Sequence, residues 1–300
     1  MKKFLHKNSR MFCDSQIKLM ILPFLVLFFV FTVLPVLVSM ILSFFDYDVI
    51  IGASWAGIDN YVYMFFEDDV FMTALKNTLI FALVTGPIGF FLSFMLAWLI
   101  NEFNSLTRSL LSFLFYSPAL MGNAYFIWQV MFSGDSYGYI NSFLLSIGII
   151  YDPIQWLKTP QYIMPIIIII QLWMSMGISF LSNIAGLQNV DTELYEAGAI
   201  DGIKNRWYEL WYITLPYMKN ILLFSAVMQI SSSFSVGQIC MTLAGFPSVN
   251  YSAETIITHL MDVGTMRYEM GTACAMSFFL FIIMLLARLI IGKIFKAIGR

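Results

Sequence analysis

Six stretches of this chain contain no Asp, Glu, Lys or Arg: Leu19–Phe45, Asn77–Asn101, Ser109–Gly134, Thr159–Val190, Asn220–Ala253 and Met270–Ala287. The hydrocarbon core of a bilayer is about 30 Å thick, and crossing it as a helix takes roughly 20 apolar residues. Inside that core there is no water to satisfy backbone N–H and C=O groups, so each crossing segment must pair its own, as a helix does. The economical reading is an all-α integral membrane protein with six transmembrane helices, at about 18–45, 74–100, 105–132, 163–187, 220–243 and 270–292. Composition agrees, since only 11% of the 300 residues are charged, against about 25% in a soluble domain. The first stretch is 27 residues long, beyond the roughly 7–15 of a signal-peptide apolar region, and reads as a retained span. Loops between the spans are too short for a second globular unit, so residues 1–300 read as a single transmembrane domain. Within the second span, "TGPIG" predicts a kink or a break.

Lys and Arg set the orientation. Six spans place 13 of the 16 on one side (Lys2, Lys3, Lys7, Arg10, Lys18, Arg108, Lys204, Arg206, Lys219, Arg288, Lys293, Lys296 and Arg300). The other side receives Lys76, Lys158 and Arg267, so by the positive-inside rule both termini are cytoplasmic. Cys13, Cys240 and Cys274 form neither an even disulfide set nor a metal motif, and they read as small hydrophobes. His259, near Asp262, reads as a surface histidine. Trp128 and Gln129 fall where they can reach the outer mouth of the bundle or join its aromatic belt, and Asp135 opens a loop turn. No catalytic set and no metal-binding set is read from the chain.

One hydrophilic island interrupts this pattern on the cytoplasmic side, within the loop at about 188–219: "TELYEAGAIDGIKNRWYELWYITLP", Thr192–Pro216. Asp191 or Thr192 can cap a short helix there, with Glu193 and Glu196 near its positive end. Gly198 weakens that helix and Gly202 offers a stop. Ala197, Gly198 and Ala199 leave part of its surface nearly bare, which lets another protein's groove approach the backbone. Beyond it Trp207, Leu210, Trp211 and Thr214 recur at helical spacing, a face suited to the headgroup boundary. Physics alone leaves two readings open, an ordinary linker with an interfacial helix or a docking element.

The order of residues resembles the "EAA" loop of binding-protein-dependent ABC importer permeases: Glu196-Ala197, then Asp201-Gly202, then Ile213, Leu215 and Pro216. Gly198 stands where that motif usually has a third small residue, Ala, and Asn220 where a second Pro is common. Phe126–Asn141, Tyr151–Leu157 and Ser252–Ser277 look like the sugar branch of that superfamily, similar to permeases for maltose, multiple sugars and glycerol phosphate. The resemblance implies a type I importer permease fold in a bacterial plasma membrane. Its short loop helix would be a coupling helix, carried here by Glu193, Glu196, Ala197, Gly198, Asp201 and Gly202. Implied partners are a second homologous permease, two copies of a cytoplasmic ATPase, an extracytoplasmic sugar-binding protein and membrane lipid, with no nucleic acid. The chain contains no GxxxxGK[ST] pattern, so ATP and Mg belong to the ATPase and this chain is expected to bind no cofactor and to be no enzyme.

Polar residues at bilayer depth normally face the bundle interior. Gln171 and Ser175 lie four residues apart in the fourth span, and Gln229, Ser232 and Ser233 lie in the fifth. The family resemblance favours the middle of these two spans, so the five are candidates for the substrate path; bonding between neighbouring helices is the alternative. Two other classes fit less well. A secondary transporter usually carries ionisable residues within the membrane and related halves, whereas these stretches have no charge and show no repeat. An intramembrane enzyme would need Ser/His, paired Asp or a metal cluster across spans, and neither His6 nor His259 falls in a charge-free stretch. The same absence of Arg and Lys from the spans favours oligosaccharide over a glycerol phosphate-like solute.

Overall fold

The computed structural model describes residues 19–48, 52–122 and 124–298. The basic head with Cys13, and Arg300, lie outside them. Helix α1 (Leu19–Leu42) leads into a two-stranded antiparallel hairpin, β1 (Phe45–Asp48) and β2 (Gly52–Trp55), in which Phe45 faces Trp55 and Asp48 faces Gly52. Then follow α2 (Asp59–Phe66), α3 (Asp69–Asn101), α4 (Ser105–Leu120), α5 (Tyr125–Met131) and α6 (Tyr139–Ser146). The chain continues through α7 (Pro160–Met174), α8 (Ile178–Gln188), α9 (Thr192–Ile200), α10 (Arg206–Tyr217), α11 (Lys219–Phe234) and α12 (Gln238–Ala244). It closes with α13 (Ile256–Met261) and α14 (Met270–Ile298).

Four helical segments are long and apolar enough to cross a bilayer: α1, α3, α7 with α8, and α14. Counting the bent pairs α4–α5 and α10–α11 as one span each raises the number to six. The chain is a multi-pass membrane protein, but three of the expected spans are not single rods. The span expected at 105–132 divides because Pro118 removes a backbone donor and Met121 leaves the helix with extended angles (φ −86°, ψ 92°). That expected at 163–187 divides at Ser175–Gly177, where Gly177 (φ −101°, ψ −125°) lies outside the helical region and its N–H turns back 2.8 Å to the Ser175 carbonyl. The span expected at 220–243 divides in the same manner: the Gly237 N–H reaches the Ser235 carbonyl at 3.1 Å. A Cβ at Gly237 would lie 2.4 Å from Ile257, so a residue without one is required there.

Prolines also explain two wide turns. Pro35 and Pro216 each lack the N–H that would bond four residues back, and a π-helical turn precedes each one, at Phe29–Val33 and Leu210–Thr214.

The "TGPIG" run neither breaks nor ends α3, which stays helical through Pro87. Its glycines form a packing surface instead. A Cβ on Gly86 would lie 3.0 Å from Ile230 of α11, and one on Gly89 would lie 2.2 Å from the Gln229 amide. Small residues let helices approach closely where lipid gives no hydrophobic drive to associate. With α11 drawn onto it, α3 runs through all three core clusters, contributing Phe81 to one, Phe94 and Ala97 to the second, and Phe71 and Ala82 to the third.

Candidate functional site

Helix α9 begins where the Asp191 carboxylate accepts from the Glu193 N–H at 3.1 Å, so Asp191 rather than Thr192 is the cap. It ends in a Schellman turn. The Ile203 N–H reaches the Gly198 carbonyl at 2.9 Å and the Gly202 N–H reaches that of Ala199 at 3.2 Å. Gly202 sits at φ +93°, in the region that favours glycine.

One face of α9 is held by its own chain. Gly198 is buried, and a Cβ there would meet the Ile213 side chain at 2.7 Å. At Gly198 the bare surface thus serves α10 of the same chain, which corrects the expectation for that residue, while Ala197 and Ala199 remain exposed. Tyr195 donates its hydroxyl to Thr214 Oγ1 at 2.9 Å, Thr214 donates on to the Glu209 carbonyl at 3.3 Å, and Tyr217 donates to the Asn189 carbonyl at 3.0 Å. Helix α10 is fastened to the bundle in turn. Arg206 bridges Glu102 (2.9 Å), at the end of α3, and Glu209 (2.7 Å), and the Trp207 ring tilts against Trp98 at 5.1 Å. Trp207, Leu210 and Trp211 share one face, as expected, whereas Thr214 turns inward to Tyr195.

The other face of α9 is uncovered. Glu193, Leu194, Glu196, Ala197, Ala199, Ile200, Asp201 and Gly202 are exposed, Ile200 to 87%. Leu194 and Ile200 were absent from the sequence-derived set. Two apolar residues between acids in a hydrophilic helix were the available signal.

A second polar feature lies within the bundle. Gln229 is 2% exposed; its Oε1 accepts from Ser179 at 2.8 Å, while its Nε2 lies over Gly89 and has no hydrogen-bond partner among the described residues. Ser175 is buried on the same side of α3, 3.1 Å from where a Gly89 Cβ would be, with its hydroxyl donating to the Leu172 carbonyl. Ser233 is buried one turn beyond Gln229 and donates to its carbonyl at 2.9 Å. Gln171 and Ser232 do not join this cluster. Gln171 is half-buried on α7, and Ser232 is exposed in a row with Ser235 and Gln238. Asn183 and Ser93 extend the polar seam toward α9, with the Asn183 amide 3.5 Å from the Ser93 hydroxyl.

At the end of the bundle away from α9, a cavity of about 710 Å³ opens between the α5–α6 segment and the end of α12. Gln129, Asp135, Gln155, Lys158 and Thr242 give it polar groups, and Phe132 gives it an aromatic wall. Asp135 is committed to its own turn, accepting from the Tyr137 and Gly138 N–H groups at 3.1 and 2.7 Å. Trp128 packs inward against Phe132 and Trp173. His259, expected at the surface, is 1% exposed and sits 2.6 Å from Asp68, 191 residues away in sequence.

No family model matches the chain. It is 31% identical over 275 residues to the probable ABC transporter permease protein YesP of Bacillus subtilis, spanning 90% of this chain and 87% of that protein. It is 33% identical over 211 residues to the lactose transport system permease protein LacF of Rhizobium radiobacter, spanning 70% and 69%. With the arabinooligosaccharides transport system permease protein AraP of Bacillus subtilis the identity is 30% over 279 residues, spanning 91% and 86%. Among solved structures, a chain of a bacterial ABC transporter involved in the import of the acidic polysaccharide alginate superposes with a TM-score of 0.80 at 24% identity, covering 98% of this chain and 100% of that one. The fold is shared with that transporter, and by its similarity along most of its length to these relatives the chain belongs to the ABC transporter permeases.

Proposed function

We propose that this chain is the transmembrane permease subunit of an ATP-driven, binding-protein-dependent importer of oligosaccharides, and that α9 is where a cytoplasmic ATPase drives it. One observation carries the coupling role. Helix α9 is fixed to its own bundle through Gly198 and Tyr195, yet presents Leu194, Glu196, Ala197 and Ile200 outward. A helix that is rigid behind and uncovered in front can be gripped and can pass force on. The 13-to-3 bias of Lys and Arg supports a cytoplasmic position for this face and for both termini. The importer would be completed by a second permease, two ATPase copies holding ATP and Mg, and an extracytoplasmic binding protein. Relatives named for lactose and arabinooligosaccharide transport, and a fold neighbour solved in complex with a pentasaccharide-bound periplasmic protein, support that assembly and a sugar cargo. The chain itself would carry no cofactor and catalyse no reaction.

The sugar would enter by the 710 Å³ cavity, whose volume lies within the usual range of ligand sites and whose amide, hydroxyl and aromatic groups suit a saccharide. It would then pass the seam of Ser175, Gln229 and Ser233 and the row containing Ser232, with Gln171 at the break above. An unsatisfied buried amide costs about 1–3 kcal/mol, so Gln229 Nε2 would gain from a sugar hydroxyl. Gln171→Ala and Gln229→Ala should each raise the sugar concentration for half-maximal uptake several-fold, as expected for a lost hydrogen bond of about 0.5–1.5 kcal/mol. Basal ATP hydrolysis by the purified complex should persist. Unchanged uptake by both variants at all sugar concentrations would make these residues helix packing only.

A further inference from the structure

Helix α3 is one unbroken rod of 33 residues, tied at its two ends to the segments that cap the bundle. At the end nearest α9, the Trp98 ring lies 5.1 Å from that of Trp207, and Glu102 meets Arg206 at 2.9 Å. Leu210 of α10 is buried in the same cluster as Phe94, Ala97 and Ile100 of α3. At the far end, Asn77 donates to the carbonyls of Tyr251 (3.1 Å), Ser252 (3.4 Å) and Glu254 (2.9 Å). Thr78 Oγ1 accepts there from the Ile256 N–H. Trp98 and Asn77 stand about 32 Å apart along the helix, at about 1.5 Å per residue. The neighbouring spans are built differently. Those of α4–α5, α7–α8 and α11–α12 each divide, at Met121, Ser175–Gly177 and Ser235–Gly237, so a shift entering one of them can be taken up at its break. Pro87 removes one backbone bond from α3, yet the helix continues through it.

We propose that α3 relays movement of the island to the segment at 248–261 on the opposite end, with Trp98 as the positioning residue through which α10 moves it. This rests on the coupling role proposed for α9. The route leaves α9 where Ile213 packs on Gly198 and Thr214 meets Tyr195. It follows α10 to Trp207 and Leu210, and enters α3 at Trp98. Of the two contacts at that entry, the indole pair is the stronger link. The Glu102–Arg206 bridge is exposed at both partners, where water screens it, and Arg206 is shared with Glu209. At the far end the ties are buried, and buried hydrogen bonds are costly to break. A rigid element held at both ends moves the two together. The segment at 248–261 therefore follows α3, while the divided spans beside it can lag.

The test uses the complex with its partner subunits and binding protein in nanodiscs, in a background without native cysteines. Spin labels are placed at Val249→Cys, in the capping segment, and at Tyr151→Cys, between α6 and α7; both positions are exposed. The distance between the labels, read by pulsed electron resonance, should change when ATP and vanadate are added. Trp98→Ala should lose that change while keeping its ATPase and hydrolysing ATP, and Trp98→Phe should retain it. Trp207→Ala truncates a largely exposed ring, so the fold should tolerate it, and it should match Trp98→Ala. A change that survives intact in either alanine variant overturns the relay, as does a distance that ATP leaves fixed in the parent complex. Loss of the ATPase from Trp98→Ala would also overturn it, since Trp98 would then serve docking. Failure of the coupling role of α9 is a separate result: Gly202→Asp would then keep its ATPase.

Discussion

Two hydrophilic segments cap opposite ends of this bundle, and they are held in opposite ways. The segment at 248–261 is pinned to α3 by buried contacts. Asn77 donates to the carbonyls of Tyr251, Ser252 and Glu254, the Ile256 N–H reaches Thr78 Oγ1 at 2.9 Å, and His259 closes on Asp68 at 2.6 Å. The segment at 192–217 is tied by hydroxyl contacts and an exposed Arg206 bridge, and its leading helix turns most of its residues to solvent. Buried polar contacts must all be satisfied or the fold suffers, whereas exposed ion pairs contribute only about 0–1 kcal/mol. The first segment is part of the scaffold. The second is displayed by it, as the proposed docking of an ATPase would require.

The comparison breaks most easily at its strong end. His259→Ala leaves the Asp68 carboxylate buried without its side-chain hydrogen-bond partner, and an unsatisfied buried group costs about 1–3 kcal/mol. Chemical denaturation of the detergent-solubilised chain should show a loss of that size; a loss below about 1 kcal/mol would mean the pair is no anchor. Burial raises the Asp68 pKa, but the His259 contact and the Phe71 N–H outweigh it and hold the carboxyl below its ordinary 3.8. A depressed acid contributes stability above its unfolded pKa, so this contribution is complete above about pH 4 and fades as pH falls further. The weak end should respond in another currency. Tyr195→Phe removes one hydroxyl, worth about 0.5–1.5 kcal/mol, and should barely alter the denaturation midpoint. In proteoliposomes it should raise the ATP consumed per sugar imported, because α9 is then less firmly joined to α10. An unchanged ratio would place the Tyr195–Thr214 contact outside the transmission route.

Legibility differed between these ends for a physical reason. The apolar stretches, the 192–216 island, a cap at Asp191 or Thr192 and the stop at Gly202 could be read because each is a local pattern of charge, hydropathy or turn chemistry. The breaks at Ser175–Gly177 and Ser235–Gly237 could not, since hydropathy is indifferent to whether an apolar run is one helix or two. At Pro87 the expected break does not occur: α3 stays helical there, and Gly86 and Gly89 meet α11 in a contact that spans about 140 residues of sequence and that no local pattern announces. His259 looked like a surface residue because the partner that buries it is 191 positions away. Of the path candidates, Ser175, Gln229 and Ser233 converge on α3 while Gln171 and Ser232 do not, and only tertiary packing decides which way each faces.

The central claim, that the island exists to be gripped, rests most directly on Gly202. A Cβ there meets nothing within 4 Å, so a side chain is not excluded by contacts of this chain, and φ +93° strains Asn and Asp alike, by about 1–3 kcal/mol. Charge is what separates the two substitutions. Burying an unpaired carboxylate at an interface costs several kcal/mol, and each 1.4 kcal/mol is tenfold in affinity. The measurement is the amount of ATPase co-purifying with the complex. Gly202→Asp should still insert and pair with the second permease but lose the ATPase, while Gly202→Asn should keep a substantial part of it. A Gly202→Asp complex that retains its ATPase in full and imports sugar at the normal rate would contradict the account.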